Sequence, residues 1–128
     1  VVAVDTNVLV RLLVGDHPVQ HRAARSLFGR EEIFIPDTVL LESAWVLRRA
    51  FHFETAEICA ALRQTCGLPN VSLRDARLVV QAIDWHEAGL DFADAMHLAT
   101  AGDLPFRTFD KDLVRVGRRV ASKVVTAP

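Results

Sequence analysis

Short apolar runs alternate along this chain with longer stretches of helical periodicity, and that alternation leaves few architectures open to it. Residues 1–4 read as a buried strand, 6–13 and 18–28 as helices stopped by Gly15 and Gly29, and 32–36 as a second strand bounded by Pro36. An apolar-rich helix is expected at 38–49, and another at 55–66 ended by Gly67, Leu68 and Pro69. A third strand at 71–73 is followed by a helix over 75–88 that Gly89 stops. Asp91 then caps a helix running to about residue 101, 106–109 is a strand, 111–116 a short helix and 123–126 a last strand. Strands alternating with helices imply an α/β fold, with a parallel sheet covered on both sides. In open sheets of this kind ligands sit outside the carboxyl ends of the strands. Asp5 and Asp110 both fall at such ends.

At 128 residues the chain is expected to be a single domain spanning 1–128, long enough to bury a core, and it shows no repeat, low-complexity tract or flexible linker. Its apolar share is 51% before glycine is counted, which leaves apolar surface for a partner to cover. No apolar run approaches a membrane span, and the first residues lack the basic-then-apolar layout of a signal peptide, so a cytoplasmic protein with no membrane partner is expected. The first residue is Val rather than Met, which leaves room for residues before it. Cys59 and Cys66 fall in one predicted helix, about 10 Å apart along its axis, beyond the ~7 Å reach of a disulfide, and read as free thiols.

Four acidic residues stand out against apolar surroundings. Asp5 follows Val-Val-Ala-Val, Glu42 is flanked by Leu40, Leu41, Ala44 and Trp45, Asp94 lies between Ala93 and Ala95, and Asp110 follows Phe109. An unpaired buried carboxylate costs several kcal/mol, on the scale of a small domain's net stability of ~5–15 kcal/mol. Four of them converging would need a cation. On a helix Glu42 shares a face with Thr38, Val39, Trp45 and Val46, and that face is expected to point into the core. Carboxylates without a matching His or Cys set favour Mg²⁺ or Mn²⁺ over zinc. Each acid also has a simpler reading: Asp5 and Asp110 as helix N-caps, Asp94 as a dipole-matched first-turn residue, Glu42 as a salt-bridged surface residue.

Asp5-Thr6-Asn7 after a short strand, Glu42 in Val-Leu-Leu-Glu-Ser-Ala-Trp-Val-Leu, Asp94 in Leu-Asp-Phe-Ala-Asp-Ala-Met-His-Leu-Ala, and Thr108-Phe109-Asp110-Lys111-Asp112-Leu113 together resemble the PIN-domain ribonucleases. Within that family they are most similar to the VapC toxins of type II toxin–antitoxin pairs. The resemblance covers nearly the whole chain in order and spacing. It implies a PIN-like α/β/α sandwich with a central parallel sheet of about four to five strands. It further implies a Mg²⁺ or Mn²⁺ site and catalytic centre at Asp5, Glu42, Asp94 and Asp110, and metal-dependent cleavage of structured RNA to 5′-phosphate and 3′-hydroxyl ends. A cognate antitoxin protein and a homodimer are implied as partners. Asn7 and Thr108 match polar positions that support the acidic cluster. Asp91 reads as a helix cap, with metal support as its second role.

Net charge is −1, so nothing global advertises nucleic acid, but from Arg107 to the end six basic residues face only two acidic ones. Arg107, Lys111 and Arg115 are the candidates for RNA contact. Asp112 reads as surface. The helical spacing of His17 and His21 suggests a metal pair only weakly, because Pro18 places His17 outside the helix. His97 lies one turn after Asp94. The partner face is expected to involve Leu9, Leu12, Leu13 and the region from Trp45 to Leu47. Two rival readings remain: a catalytically inactive PIN scaffold, and a metal-dependent receiver-like signalling module. The receiver needs adjacent acids after its first strand and an acidic residue on a middle strand, neither of which this sequence has.

Overall fold

A computed structural model describes residues 1–128, which form two compact units, Val1–Ala76 and Arg77–Pro128. The first holds β1 (Val2–Ala3), α1 (Thr6–Val14), α2 (Pro18–Arg30), β2 (Ile33–Phe34), α3 (Asp37–Phe51), α4 (Thr55–Cys66) and β3 (Val71–Ser72). The second holds nearly all of α5 (Ala76–Glu87), then α6 (Phe92–Thr100), β4 (Phe106–Arg107), α7 (Lys111–Val120) and β5 (Val125–Thr126). Every strand pairing is parallel, so the α/β class read from the alternation is the one the chain adopts.

In the first unit the strands run in the order β1-β2-β3, with Val2 opposite Ile33 and Ile33 opposite Val71. The strands are two residues each, and backbone bonds from Val4 to Phe34 and from Ile35 to Ser72 extend the ladder past their ends. Asn70 ties this sheet to α2: its side-chain amide donates to the carbonyls of Phe28 (2.7 Å) and Glu31 (2.8 Å). The β1 segment was expected to be buried, but Val1, Val2 and Ala3 are exposed and only Val4 is enclosed. In its sheet β1 is an edge strand with one neighbour, and its β-branched sequence reports strand propensity rather than coverage.

Helix ends follow the cap chemistry in most places. Asp5 caps α1, and Gly15 closes it in the left-handed region (φ 71), where any side chain would be strained. Glu54 and Glu57 form a reciprocal capping box at the start of α4, which ends at Gly67 as expected. Gly29, by contrast, is not a stop: α2 passes through it to Arg30, and its backbone shows no positive φ. The α3 helix begins at Asp37, one residue early, and extends to Phe51, where His52 turns the chain with φ 57. Neither Cys59 nor Cys66 is in a disulfide, and burial pushes the Cys66 thiol up to about 11.

In the second unit β4 pairs with β5, Phe106 opposite Val125. The α7 helix does not stop at residue 116 but continues to Val120, since Leu113, Val116 and Gly117 carry one buried stripe onward. A Cβ on Gly117 would lie 3.4 Å from Val125 Cγ1 and 3.6 Å from Leu98 Cδ2. The helix therefore packs on β5 and α6 with space for a methyl group at most.

Candidate active site

Asp5 ends the β1 connection and begins α1, so its backbone is fixed by a strand on one side and a helix on the other. Its Oδ1 accepts the Val8 amide at 3.1 Å, leaving Oδ2 uncommitted. Glu42 reaches the same region from α3. The buried stripe of that helix is Leu40, Ser43, Ala44 and Leu47, spaced at three and four residues. Thr38, Glu42, Trp45 and Arg49 occupy the opposite stripe, so Glu42 and Trp45 are exposed, Trp45 at 62%. The expectation that Glu42 aims at the core is therefore corrected: flanking apolar residues marked a buried helix, not a buried carboxylate. Arg49 rests over the Trp45 ring at 5.7 Å.

Glu42 instead lines an open cleft of about 510 Å³ whose wall includes Asp5, Thr6, Asn7, Thr38 and Val46. Thr6 Oγ1 donates to Glu42 Oε1 at 2.5 Å, across 36 residues of sequence. This bond fixes one oxygen of Glu42 and leaves Oε2 for a ligand. Thr6 was not among the sequence candidates. The signal for it was its place between Asp5 and Asn7, on the first turn of a helix that two candidate residues already bracket.

The second unit gathers the other acids. Asp110 caps α7, its Oδ1 accepting the amides of Asp112 (2.9 Å) and Leu113 (3.0 Å), while Oδ2 stays uncommitted. Thr108 Oγ1 accepts the Asp110 amide at 3.0 Å. Asp91 caps α6 through the Asp94 amide. The Asp94 carboxyl is held above its ordinary value by partial burial, then by the negative charges of Asp91 and Asp110, with His97 acting in the opposite direction. Asp112 is exposed, as read.

The basic residues from Arg107 onward divide into two sets. Arg118 donates to the Val125 carbonyl, Arg119 to the Ala88 carbonyl, and Lys123 to the carbonyls of Leu98 and Gly102. Those three serve as internal fasteners, and the Lys123 ammonium is shifted down by burial. Arg107, Lys111 and Arg115 are exposed, and only Arg115 has a partner, the solvent-facing Asp112. Of these six, the three cations expected to contact RNA are the three not tied to carbonyls.

The histidine pair does not form a metal site. His17 caps α2 by accepting the Gln20 amide, and His21 Nδ1 meets the Arg11 carbonyl at 2.8 Å. No three His, Cys, Asp or Glu side chains are grouped to hold an ion within either unit, and the acids fall two and two, Asp5 with Glu42 and Asp94 with Asp110. Their uncommitted donors are carboxylate oxygens, the preference of Mg²⁺ and Mn²⁺. Partial burial and then the negative charges of Asp91 and Asp110 raise Asp94, and a cation would offset both, so the donors of each unit fit such an ion.

A family model described as PIN domain matches residues 2–119. The chain belongs to the PIN domain family. PIN domains are generally nucleases and commonly use Mg²⁺ or Mn²⁺, so this is a nuclease fold. No curated protein and no solved structure matches the chain. Within the PIN frame, Asp5 begins the helix after the first strand and Asp110 the helix after the fourth. No helix is long and apolar enough to cross a membrane.

Proposed function

We propose that this PIN domain is a Mg²⁺- or Mn²⁺-dependent endoribonuclease toxin of the VapC kind, acting on structured RNA in the cytoplasm and neutralised by a cognate antitoxin. The observation that carries the reading is the Glu42 carboxylate, held by Thr6 on the wall of the cleft it shares with Asp5. Asp5, Glu42, Asp94 and Asp110 are the proposed ligands, with Asn7, Thr108 and Asp91 in support. A bound dication supplies Lewis-acid charge that lowers the pKa of a water and stabilises charge developing on the scissile phosphate. The chain's own part is to keep acceptor oxygens free at fixed positions: Asp5 Oδ2 and Asp110 Oδ2 beside their caps, and Glu42 Oε2 beside the Thr6 bond. One such oxygen, off the metal, orients the attacking water and takes its proton. Arg107, Lys111 and Arg115 hold RNA phosphates. Of the partner face expected from sequence, Leu9 and Leu47 are fully buried and only Trp45 is prominently exposed; Trp45 in the first unit, and Val80 and Phe109 in the second, are the apolar side chains that offer surface to an antitoxin or a second copy.

The test is cleavage of several structured RNAs by purified, antitoxin-free protein. Cleavage with Mg²⁺ or Mn²⁺ that EDTA abolishes is expected. Intact RNA under all conditions would leave an inactive PIN scaffold as the better description.

A further inference from the structure

Asp5 and Asn7 line two clefts, not one. On one side lies the Glu42 cleft; on the other, α1 and α2 enclose a second space of about 410 Å³. Its walls are apolar along Val8, Ala24 and Leu27, and its rim carries Arg11, Gln20 and Arg30. The volume lies in the range of small-molecule sites, which are apolar pockets with a few placed polar groups.

The rim is held in a defined state. Arg11 is clamped by Asp16, with Nη1 at 2.7 and 2.8 Å from its two oxygens, and its Nε donates to Gln20 Oε1 at 2.8 Å. Because that bond takes the Gln20 oxygen, the Gln20 Nε2 donors are left for a ligand. Arg30 uses Nη1 on Ser26 and keeps the rest of its guanidinium fork. Arg11 is neutralised by Asp16, so Arg30, whose guanidinium has no carboxylate partner, is the rim group that offers donors to an anion, with the Asp5 carboxylate elsewhere on the same lining. An apolar floor with an amide donor and a free guanidinium suits a nucleobase carrying a phosphate.

We propose that the cleft between α1 and α2 is a nucleotide subsite, seating one nucleotide of an RNA strand whose neighbouring phosphodiester lies at the Asp5–Glu42 cleft. The base lies on Val8, Ala24 and Leu27, Gln20 donates to a base carbonyl, and Arg30 meets the phosphate. The shared Asp5–Asn7 wall sets the step from the bound nucleotide to the scissile bond, so this subsite contributes to sequence preference at the cut. The strand's passage between the clefts rests on the nuclease reading; occupancy of the cleft does not.

The experiment titrates wild type, Gln20→Ala and Ala23→Trp with each of the four nucleoside 5′-monophosphates in EDTA, followed by NMR. Ala23 lines the cleft and is exposed, so a bulky side chain there occludes the space without entering the core. Wild type is expected to bind at least one mononucleotide, with at least tenfold weaker binding in both variants. In parallel, RNA cleavage in Mg²⁺ by Ala23→Trp should show KM raised at least tenfold with kcat little changed. Absence of mononucleotide binding, or equal binding by all three proteins, overturns the subsite even where RNA is cleaved. Unchanged nucleotide binding in an Ala23→Trp protein that no longer takes up the antitoxin would make the cleft a protein-docking surface instead. Mononucleotide binding that the variants lose, with no RNA cleaved under any condition, overturns the nuclease reading and leaves the subsite standing.

Discussion

Replacing Asp5 separates its two roles, because one of its oxygens caps α1 and the other is free. Asp5→Ala removes the acceptor for the Val8 amide, and loss of an N-cap costs about 1 kcal/mol. For a domain of this size that is a fall in Tm of roughly 4 °C. Asp5→Asn keeps an acceptor that ranks with Asp as a cap. Its lost charge gives up about 0.3–1 kcal/mol of helix-dipole attraction, which for an exposed cap falls at the lower end. Its Tm should therefore stay close to that of wild type. Activity should not follow stability. Either substitution removes a proposed metal ligand, and since disturbing even a residue that supports a ligand costs ~10–100-fold, a loss of at least about 100-fold is expected. The assays are thermal unfolding by circular dichroism in EDTA and cleavage of a fluorescent RNA at matched Mg²⁺, with mock-purified controls for contaminating nuclease. Wild-type cleavage by Asp5→Asn would refute the catalytic assignment, and equal Tm values for the Ala and Asn variants would refute the cap.

Thr6→Val, which keeps shape but deletes the donor to Glu42, should lower RNA cleavage by about tenfold with little change in Tm; unchanged cleavage at limiting Mg²⁺ would show that Thr6 does not position Glu42. For Asp94 the folded pKa lies above the ordinary 3.8, so its contribution to stability is intact below that value and is lost as pH rises through the raised one. Metal-free Asp94→Asn should accordingly melt higher than wild type at pH 7 and no higher at pH 3, and a lower Tm at pH 7 would contradict the charge crowding. Neutralising Arg107, Lys111 or Arg115 should weaken RNA binding and reduce the slope of log affinity against log salt by about 0.7 per lost phosphate contact. Lys123→Met, which breaks two bonds to backbone carbonyls, should lower Tm while leaving that slope alone; the reverse pattern would exchange the two sets.

The order of elements was legible because it rests on local signals. Gly15, Gly67, Pro36 and the caps at Asp5, Asp91 and Asp110 each act within a turn of their own position, and the structure places element ends beside them. Where those signals failed, a wider context decided. Gly29 carries no positive φ, and α7 outlasted its expected end because Val116 and Gly117 found β5 and α6 to pack on. The helical turn at His52 has no sequence marker beyond the tolerance of His for the left-handed region.

For the site, the residues were legible but their environment was not. Apolar neighbours in sequence suggested buried acids, yet a helix turns 100° per residue, so Leu41 beside Glu42 says nothing about what Glu42 faces. The periodicity from Leu40 through Leu47 does say it, and read that way it puts Glu42 at the surface with Thr38 and Trp45. That exposure changes the physical argument. A solvated carboxylate such as Glu42 needs no cation to offset burial; Asp94 does carry such a need, raised first by partial burial and then by the negative charges of Asp91 and Asp110. Thr6 belongs to the same lesson. Its hydroxyl became part of the site through a contact with a residue on another helix, and no spacing within α1 encodes which partner a first-turn hydroxyl will meet.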